Sequence, residues 1–245
     1  MTAGMNTSQS DDYLGRQLPW VRARLNKLEP EYRFKWDIYF DRLEELAKNS
    51  KAFLDAGCGD NRTATELDGP RLRIGVDLLR ERTHETCQPY VVGRLEQTPF
   101  TGQTFDLVGC RYVVEHLENP LAVFAELHRV MAPGGRLLIQ TVNRRSPLIR
   151  LSRLLGGRIR RMVSRRRYAR SDEEVFSVRD RFNTTYQFEN PPEGFRLVSL
   201  CMTQDVDTQS KLGFWLTYLL VRWTRSRPHA GSTITAEWER LPESG

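Results

Sequence analysis

Apolar residues between positions 52 and 141 fall into short runs separated by polar stretches and by segments of helical periodicity. Five of these runs predict strands, at 52–55, 72–76, 91–92, 104–109 and 136–141. Apolar spacings of three and four predict a helix near 62–68 and another over 119–131, which Pro133-Gly134-Gly135 should end with a left-handed cap. Strands that alternate with helices are typical of a parallel sheet covered on both faces, so the pattern predicts an α/β fold.

The regions on either side of this pattern predict further elements. Residues 30–48 have aromatic and aliphatic side chains at helical spacing, which predicts a helix that packs on the sheet or forms a lid over a ligand. Two later apolar runs, at 195–201 and 214–221, predict two more strands. The predicted sheet therefore has seven strands.

Polar ends frame the predicted domain, which covers residues 19–224. We expect a disordered tail at 1–18 and a loose tail at 225–245. No apolar run reaches 18 residues and the start of the chain is polar, so we expect neither a transmembrane helix nor a signal peptide. Four cysteines without a CxxC pair predict no metal site and no disulfide framework, and these features together favour a cytoplasmic protein.

Positive charge is concentrated in one segment. The formal net charge is +6, yet residues 143–171 contain eleven arginines and no acidic residue. Apolar residues at helical spacing between them make this arginine-rich segment amphipathic. Such segments bind anionic membrane surfaces or lipid-linked molecules, and the same charge binds nucleic-acid phosphates. Few aromatic residues there are available to stack on bases, which makes nucleic acid the less favoured partner. A solvated surface helix or a site for a protein partner is a further alternative.

A glycine-containing turn follows the first strand. The sequence Phe53-Leu-Asp-Ala-Gly-Cys-Gly59 ends a buried run in an acid and two glycines, and the second strand ends in Asp77. This is the layout of a nucleoside-binding βαβ unit. A dinucleotide site requires a third glycine where Arg62 stands, and Asp60 would repel a pyrophosphate. A ligand with a cationic sulfonium and no phosphate tolerates these residues, which favours S-adenosylmethionine.

Six motifs follow one another along the chain, at Phe53–Asp60, Gly75–Leu78, Gln97–Phe100, Phe105–Val108, Val114–Leu117 and Leu127–Arg136. In this order they resemble those of class I S-adenosylmethionine-dependent methyltransferases, in the subgroup that includes the quinone-biosynthesis methyltransferases. The resemblance covers about residues 50–142. It implies a Rossmann-like, doubly wound sheet of seven strands, the last antiparallel and beside the fifth. It also implies that the basic insertion after strand five, at 144–190, shapes the acceptor site.

The resemblance implies a cofactor site made of nine residues: Asp55, Gly57, Cys58, Gly59, Asp77, Leu78, Leu95, Cys110 and Arg111. The two glycines would let the backbone approach the cofactor. Asp55 would attract the methionine ammonium, and Asp77 would accept hydrogen bonds from the ribose hydroxyls. Leu78 would lie against the adenine, and the backbone N–H of Leu95 would meet an adenine nitrogen. Cys110 and Arg111 would flank the methionine end and the transferred methyl.

Two positions depart from the family pattern. Asn61 replaces the third glycine of the loop, and Arg94 replaces the acid that binds the adenine amino group. Asparagine tolerates positive φ better than other non-glycine residues, and Glu96 is available for the adenine contact. If these changes abolish cofactor binding, the alternative is a non-catalytic methyltransferase-fold protein that binds a partner through the arginine-rich segment.

Methyl transfer to a hydroxyl benefits from a general base, and the candidate is His116, after the fourth strand. The alternative is that Glu115 and His116 only cap the next helix. We expect O-methylation of a small-molecule or lipid-linked acceptor such as a glycan or a secondary metabolite, with an RNA methyltransferase as a second alternative. Peripheral contact with the anionic inner membrane surface through residues 144–170 is a further hypothesis.

Overall fold

A seven-stranded sheet forms the centre of the fold in the computed structural model, which describes residues 19–59, 62–78, 89–154, 178–204, 206 and 211–243. The strands are β1 (Ala52–Ala56), β2 (Leu72–Asp77), β3 (Tyr90–Val92), β4 (Phe105–Arg111), β5 (Met131–Val142), β6 (Phe195–Thr203) and β7 (Thr233–Arg240). Their order in the sheet is β3-β2-β1-β4-β5-β7-β6. Strands β1 to β5 run parallel, and β7 is antiparallel to its neighbours β5 and β6. The predicted Rossmann-like sheet with an antiparallel last strand is confirmed.

Helices cover both faces of this sheet. They are α1 (Pro19–Leu28), α2 (Lys35–Ala47), α3 (Arg62–Glu66), α4 (Pro120–Val130), α5 (Pro147–Leu154), α6 (Thr185–Glu189) and α7 (Lys211–Arg225). On one face, Tyr39 and Leu43 of α2 pack in a cluster with Phe53. On the other face, Phe124 of α4 shares a cluster with Leu54. Neighbouring strand residues point to opposite faces, so β1 is apolar without interruption because both of its faces are buried.

The boundary between α4 and β5 differs from the prediction. The helix begins as expected at Pro120, with the side chain of Asn119 accepting a hydrogen bond from the N–H of Ala122. It ends at Val130 because Met131 is already extended and pairs with Phe105 of β4. Gly134 has a positive φ of 78°, but it lies in an irregular part of β5 rather than in a helix cap.

The C-terminal part of the prediction is wrong in two places. Residues 214–221, expected to form the last strand, lie in helix α7. The loose tail expected at 225–245 contains β7, which lies inside the sheet between β5 and β6. A short apolar run is ambiguous between a strand and a buried helix, and here Phe214, Tyr218 and Val221 form one buried helical face. The hydrophobic pattern does not predict β7, because this strand contains charged residues, of which Glu237 is fully buried.

The N-terminal region forms two helices. The helix predicted over 30–48 is α2, which begins only at Lys35. The preceding helix α1 packs against α7, with Val21 and Leu25 in an apolar cluster that includes Phe214. The guanidinium of Arg22 donates to both carboxylate oxygens of Asp37, at 3.1 and 3.0 Å, and so joins α1 to α2. The tail predicted at 1–18 lies outside the described residues.

Candidate functional site

The glycine turn after β1 lies at the carboxyl edge of the parallel strands, where open α/β sheets bind their ligands. The backbone N–H groups of Gly57 and Cys58 both donate to the carbonyl of Val76, at 2.8 and 3.1 Å. The N–H of Gly59 donates to Oδ2 of Asp77 at 2.9 Å. These bonds hold the turn against the end of β2, so that two of the predicted cofactor segments lie side by side.

Gly57 and Gly59 have positive φ values of 78° and 57°, which favour glycine at both positions. A Cβ on Gly57 would lie 2.2 Å from Cγ2 of Val113, so packing within the protein also requires glycine there. A Cβ on Gly59 would meet none of the described atoms within 4 Å. Open space beside a left-handed backbone is what a ligand needs in order to approach it, so the predicted role suits Gly59 better than Gly57. Position 61 lies outside the described residues.

Asp77 ends β2 and pairs with Val92 of β3, whose first residue, Tyr90, the sequence does not predict as part of the site. Burial raises the pKa of the Tyr90 hydroxyl to about 12, and the neighbouring Cys58 and Asp77 add to this shift. The signal in the sequence is weak, because Tyr90 begins a strand of only three residues. Leu78 follows Asp77 and is exposed. The acid expected to hold the ribose and the leucine expected to contact the adenine are therefore both at the ligand-binding edge.

Asp55 lies almost fully buried near the end of β1, paired between Gly75 and Gly109. The hydroxyl of Tyr39, on α2, lies over Gly109, where an added Cβ would be 2.8 Å from it. Burial raises the pKa of Tyr39, and the charge of Asp55 raises it further. Within the described part of the chain this buried hydroxyl has no hydrogen-bond partner. A buried hydroxyl without a partner leaves a position for a polar ligand atom close to Asp55.

Cys110 and Leu95 contribute their side chains to the protein core. Both belong to the cluster on the α4 face, and burial raises the pKa of the Cys110 thiol. The predicted contact of the Cys110 side chain with the methionine end is therefore not supported by its position. Leu95 lies in a turn between the bridged residues Arg94 and Gln97. Arg94 forms an ion pair with Glu96 at 3.6 Å, which places an acid next to the position where the family pattern expects one.

Arg111, at the end of β4, takes part in a group of rings and cations that we call the aromatic–cation cluster: Lys35, Trp36, Phe40, Arg111 and Tyr112. The Arg111 guanidinium lies 5.0 Å from the ring centroid of Trp36 and 5.2 Å from that of Phe40. The ammonium of Lys35 lies 5.1 Å from the Trp36 ring and 5.4 Å from the Tyr112 ring. All five residues are partly exposed. The cluster thus presents flat apolar surfaces and positive charge at the carboxyl edge.

Gln140 attaches the aromatic–cation cluster to the sheet. Its side-chain Nε2 donates to the backbone carbonyl of Lys35 at 2.8 Å. The backbone carbonyl of Gln140 accepts the N–H of Tyr112 at 2.7 Å. The start of α2 and the end of β4 are therefore both joined to the end of β5. This connection holds the candidate lid helix next to the cofactor edge.

His116 ends a 3₁₀ turn, Val114–His116, that follows β4. Its side chain is partly exposed, whereas Glu115 is almost fully buried. The alternative that these two residues cap the next helix is not supported, because Asn119 is the N-cap of α4. Oε2 of Glu115 accepts a hydrogen bond from Oγ1 of Thr141 at 2.7 Å. His116 therefore directly follows, along the chain, a buried carboxyl group that is bonded to the end of β5.

Glu115 also joins the turn to the segment that returns from the basic insertion. Its carbonyl oxygen accepts the N–H groups of Arg179 and Asp180, at 2.8 and 3.1 Å. The N–H of Arg144 donates to the carbonyl of Asn183 at 3.1 Å. The two ends of the insertion thus meet at the carboxyl edge of β5. Residues 155–177, which include most of the arginine-rich segment, lie outside the described residues.

The buried carboxyl of Glu115 should make the free energy of unfolding depend on pH. Burial raises its pKa from 4.5 to about 7. The unfolded chain loses this proton above pH 4.5, while the folded chain keeps it until about pH 7, so the free energy of unfolding should fall between these values. The fall due to this group is at most about 3 kcal/mol. We expect Glu115→Gln to remove that part of the fall, as measured by urea unfolding at pH 5 and pH 8. Profiles that run parallel for wild type and variant would contradict the prediction.

Both the sequence and the fold are similar to those of known proteins. A family model described as a methyltransferase domain matches residues 31–200. The ubiquinone biosynthesis O-methyltransferase of Aliivibrio fischeri is 31% identical over 141 residues, which are 51% of this chain and 60% of that protein. The mitochondrial 2-methoxy-6-polyprenyl-1,4-benzoquinol methylase of Mus musculus is 25% identical over 117 residues, which are 48% of this chain and 34% of that protein. The matched regions thus span about a third to three fifths of these relatives.

Solved structures share the fold. The crystal structure of a putative methyltransferase from Bacillus halodurans aligns with a TM-score of 0.53 at 18% identity, over 82% of this chain and 97% of that one. The strand order, with an antiparallel last strand, thus defines a class I methyltransferase fold. The chain belongs to the methyltransferase domain family. Class I methyltransferases use S-adenosylmethionine as methyl donor.

The residues at this edge fit S-adenosylmethionine. Gly59 leaves open space for its approach, and Asp55 and Asp77 supply carboxylates that suit a cationic ligand with ribose hydroxyls. The hydroxyl of Tyr39 supplies a buried donor that has no partner within the described residues. Among those residues, no group of three His, Cys, Asp or Glu side chains is placed to hold a metal ion.

Proposed function

We propose that this chain transfers a methyl group from S-adenosylmethionine to a hydroxyl oxygen of a small-molecule or lipid-linked acceptor that binds at the aromatic–cation cluster. The observation that supports this most is the position of Arg111. It is the last residue of β4, two residues after the Gly109 that pairs with Asp55, and its guanidinium lies against the Trp36 ring. The cofactor edge and the cluster therefore meet at one strand end.

The cofactor supplies a methyl carbon that is already activated by the positive sulfur, so the protein has mainly to position the two reactants. Asp77 would hold the ribose and fix the glycine turn through Gly59, and Leu78 would lie against the adenine. Asp55 and Tyr39 would bind the methionine end. Trp36 and Phe40, on α2, would cover the reacting groups and exclude water from them.

The acceptor hydroxyl would lose its proton to His116 as its oxygen bonds to the methyl carbon. The cofactor would supply the methyl carbon in the same step and would be released as a neutral thioether, with the electron pair of the broken carbon–sulfur bond on its sulfur. The buried Glu115 would position the turn that carries His116 through its bond to Thr141. Rings and cations in the aromatic–cation cluster favour a planar acceptor that carries a negative or electron-rich group. One relative above is named a ubiquinone biosynthesis O-methyltransferase and the other a benzoquinol methylase, which supports a hydroxylated ring as the acceptor.

Replacement of Asp77 tests the cofactor assignment. We expect Asp77→Ala to weaken S-adenosylmethionine binding by about 1.5–3 kcal/mol, because a charged hydrogen-bond acceptor is lost. Isothermal titration calorimetry measures this change. The exposed Asp68→Ala is the matched control and should leave affinity unchanged. Asp77→Asn keeps an oxygen for the Gly59 N–H, so it separates the contribution of the ribose from that of the turn. Equal affinity for wild type and Asp77→Ala would remove the ribose assignment.

An acceptor screen tests the proposed reaction. Purified protein is incubated with S-adenosylmethionine carrying a labelled methyl group and with phenols, quinols, glycans and their lipid-linked forms. Label transferred to a hydroxyl oxygen supports the proposal. If the label is transferred only to RNA, the protein is an RNA methyltransferase instead. If the cofactor binds but the label is transferred to no compound, the proposal of a hydroxyl acceptor is contradicted. Failure to bind the cofactor would indicate a non-catalytic protein that acts through residues 144–170. Transfer only to vesicle-bound acceptors would support contact of those residues with an anionic membrane.

A further inference from the structure

Helix α7 presents an apolar face to solvent. Leu212, Trp215, Leu216, Leu219 and Trp223 are all exposed, and their spacing of three, one, three and four residues places them on one side of the helix. The opposite side carries Phe214, Tyr218 and Val221, which are buried against α1. Scattered exposed leucines are ordinary, but a contiguous face with two tryptophans marks a surface that another body covers.

This helix is an addition to the sheet rather than part of its core. Thr203 of β6 pairs with Thr233 of β7, so the two strands are adjacent where the connection leaves and returns. A tight turn joins antiparallel neighbours of this kind in a simple hairpin. Here residues 204–232 intervene, and α7 lies within them. Strands β6 and β7 can pair without this helix, so the exposed face of α7 has a role other than stabilising the sheet.

The charges around the exposed face are positive. Residues 211–232 contain Lys211, Arg222, Arg225 and Arg227, and no acidic residue. The guanidinium of Arg227 lies 4.7 Å from the Trp223 ring, and that of Arg24 lies 5.5 Å from the Trp215 ring. Arg225 is paired with Glu29 and Glu31 of the N-terminal region. The exposed cations Lys211, Arg222, Arg227 and Arg24 remain along the edges of the face.

A basic cleft extends the same surface. It has a volume of about 480 Å³ and is lined by Arg145, Pro147, Arg227 and His229, among others. It therefore joins the end of α7 to the start of α5, where the arginine-rich segment begins. His229 lies 3.6 Å from Glu189, an acid that faces this region. The side chains that line the cleft are basic, small or apolar.

We propose that α7 is an interfacial helix that binds the surface of an anionic phospholipid membrane. Among the described helices, none is long and apolar enough to cross a bilayer. With an apolar face of leucine and tryptophan and a basic border, α7 has the features of a helix that lies in the headgroup region parallel to the membrane. Leucines enter the acyl boundary, tryptophan rings remain at the interface, and the cations bind lipid phosphates. This inference rests on α7 and the basic residues around it, and it does not depend on the proposed methyl transfer.

Vesicle co-sedimentation of the full chain tests the proposal. Vesicles of phosphatidylcholine alone are compared with vesicles of phosphatidylcholine and phosphatidylglycerol. Leu219→Glu places a charge in the middle of the face, and Leu121→Glu, on α4, is the matched control, since the two leucines are 61% and 60% exposed. We expect binding to anionic vesicles by wild type and Leu121→Glu, and a loss of about tenfold or more for Leu219→Glu. Circular dichroism checks the fold, and Leu219→Ser replaces the glutamate variant if that one does not fold.

Four results would overturn the proposal. Wild type would bind no vesicle at all, or it would bind neutral and anionic vesicles equally. Leu219→Glu and Leu121→Glu would lose binding equally, or Leu219→Glu would bind as well as wild type. The last would assign the membrane contact to the arginine-rich segment instead. Light scattering adds a fifth test: a wild-type dimer that Leu219→Glu converts to a monomer, without vesicle binding, would show that a second copy of the chain covers the face.

Discussion

His116→Ala should lower turnover by about 10²–10⁴-fold with the acceptor that the screen identifies, while affinity for S-adenosylmethionine is kept. The imidazole is the proposed acceptor of the hydroxyl proton, so its loss affects the chemical step and leaves the cofactor contacts intact. The rate is measured from labelled methyl transfer at saturating cofactor, and the affinity by calorimetry. The turn that carries His116 is held by backbone bonds and by Glu115, so the substitution should not displace it.

His128→Gln is the control for the His116 variant. His128 lies on α4 and packs against Phe195, with ring centroids 5.5 Å apart, away from the carboxyl edge. Its turnover should equal that of wild type. A pH profile of turnover adds a second readout, because removal of a general base should change the shape of that profile. Full activity in His116→Ala would show that the acceptor needs no base from this residue.

Glu237→Ala should be the most destabilising single substitution described here, with a loss of about 3 kcal/mol in the free energy of unfolding. Glu237 lies in β7 and is fully buried. Its carboxylate accepts hydrogen bonds from Arg42 at 2.7 and 3.0 Å and from Arg136 at 3.0 Å. The alanine would leave two guanidinium groups without this partner. Because each of the two arginines is about one-third exposed and can reach water, we expect the lower end of the range for broken buried pairs.

Glu45→Ala is the control, because Glu45 is an exposed partner of the same arginine. Exposed pairs contribute little, so its denaturation midpoint should stay close to that of wild type. Guanidinium chloride unfolding, followed by circular dichroism, compares the three proteins. Equal midpoints for Glu45→Ala and Glu237→Ala would show that the buried ion pair does not stabilise the position of β7 in the sheet.

The buried carboxylate of Glu237 also shows why β7 is harder to predict from the sequence than the central strands. Strands β1 and β4 are largely buried and apolar, so their sequences identify them directly. The strand β7 carries Glu237, Glu239 and Arg240 within Thr233–Arg240, and its sequence looks like a surface segment. Only the contacts with Arg42 and Arg136 neutralise Glu237, and those residues are distant along the chain. The helix α7 was mistaken for a strand for the opposite reason, since apolar residues occupy its exposed side as well as its buried side.

The candidate site divides in a similar way. Asp55, Gly59 and Asp77 could be predicted because each is defined by its own strand end or turn. Tyr39, Trp36 and Tyr90 could not, because they reach the site only after α2 and β3 pack against the sheet. A tyrosine on a helix is ordinarily a core residue, and only its position over Gly109 gives its hydroxyl a place next to Asp55. Glu115 was noticed, but its burial and its bond to Thr141 depend on the end of β5.

Calorimetric titration of the folded protein with S-adenosylmethionine and S-adenosylhomocysteine tests the central claim most directly. The claim is that the turn at Gly57–Gly59, together with Asp55, Tyr39 and Asp77, still forms a cofactor site although Asn61 and Arg94 depart from the family pattern. We expect both ligands to bind with micromolar affinity and Asp77→Ala to weaken both. Absence of measurable binding of either ligand, with a normal circular dichroism spectrum, would contradict the claim and assign the fold to a non-catalytic role.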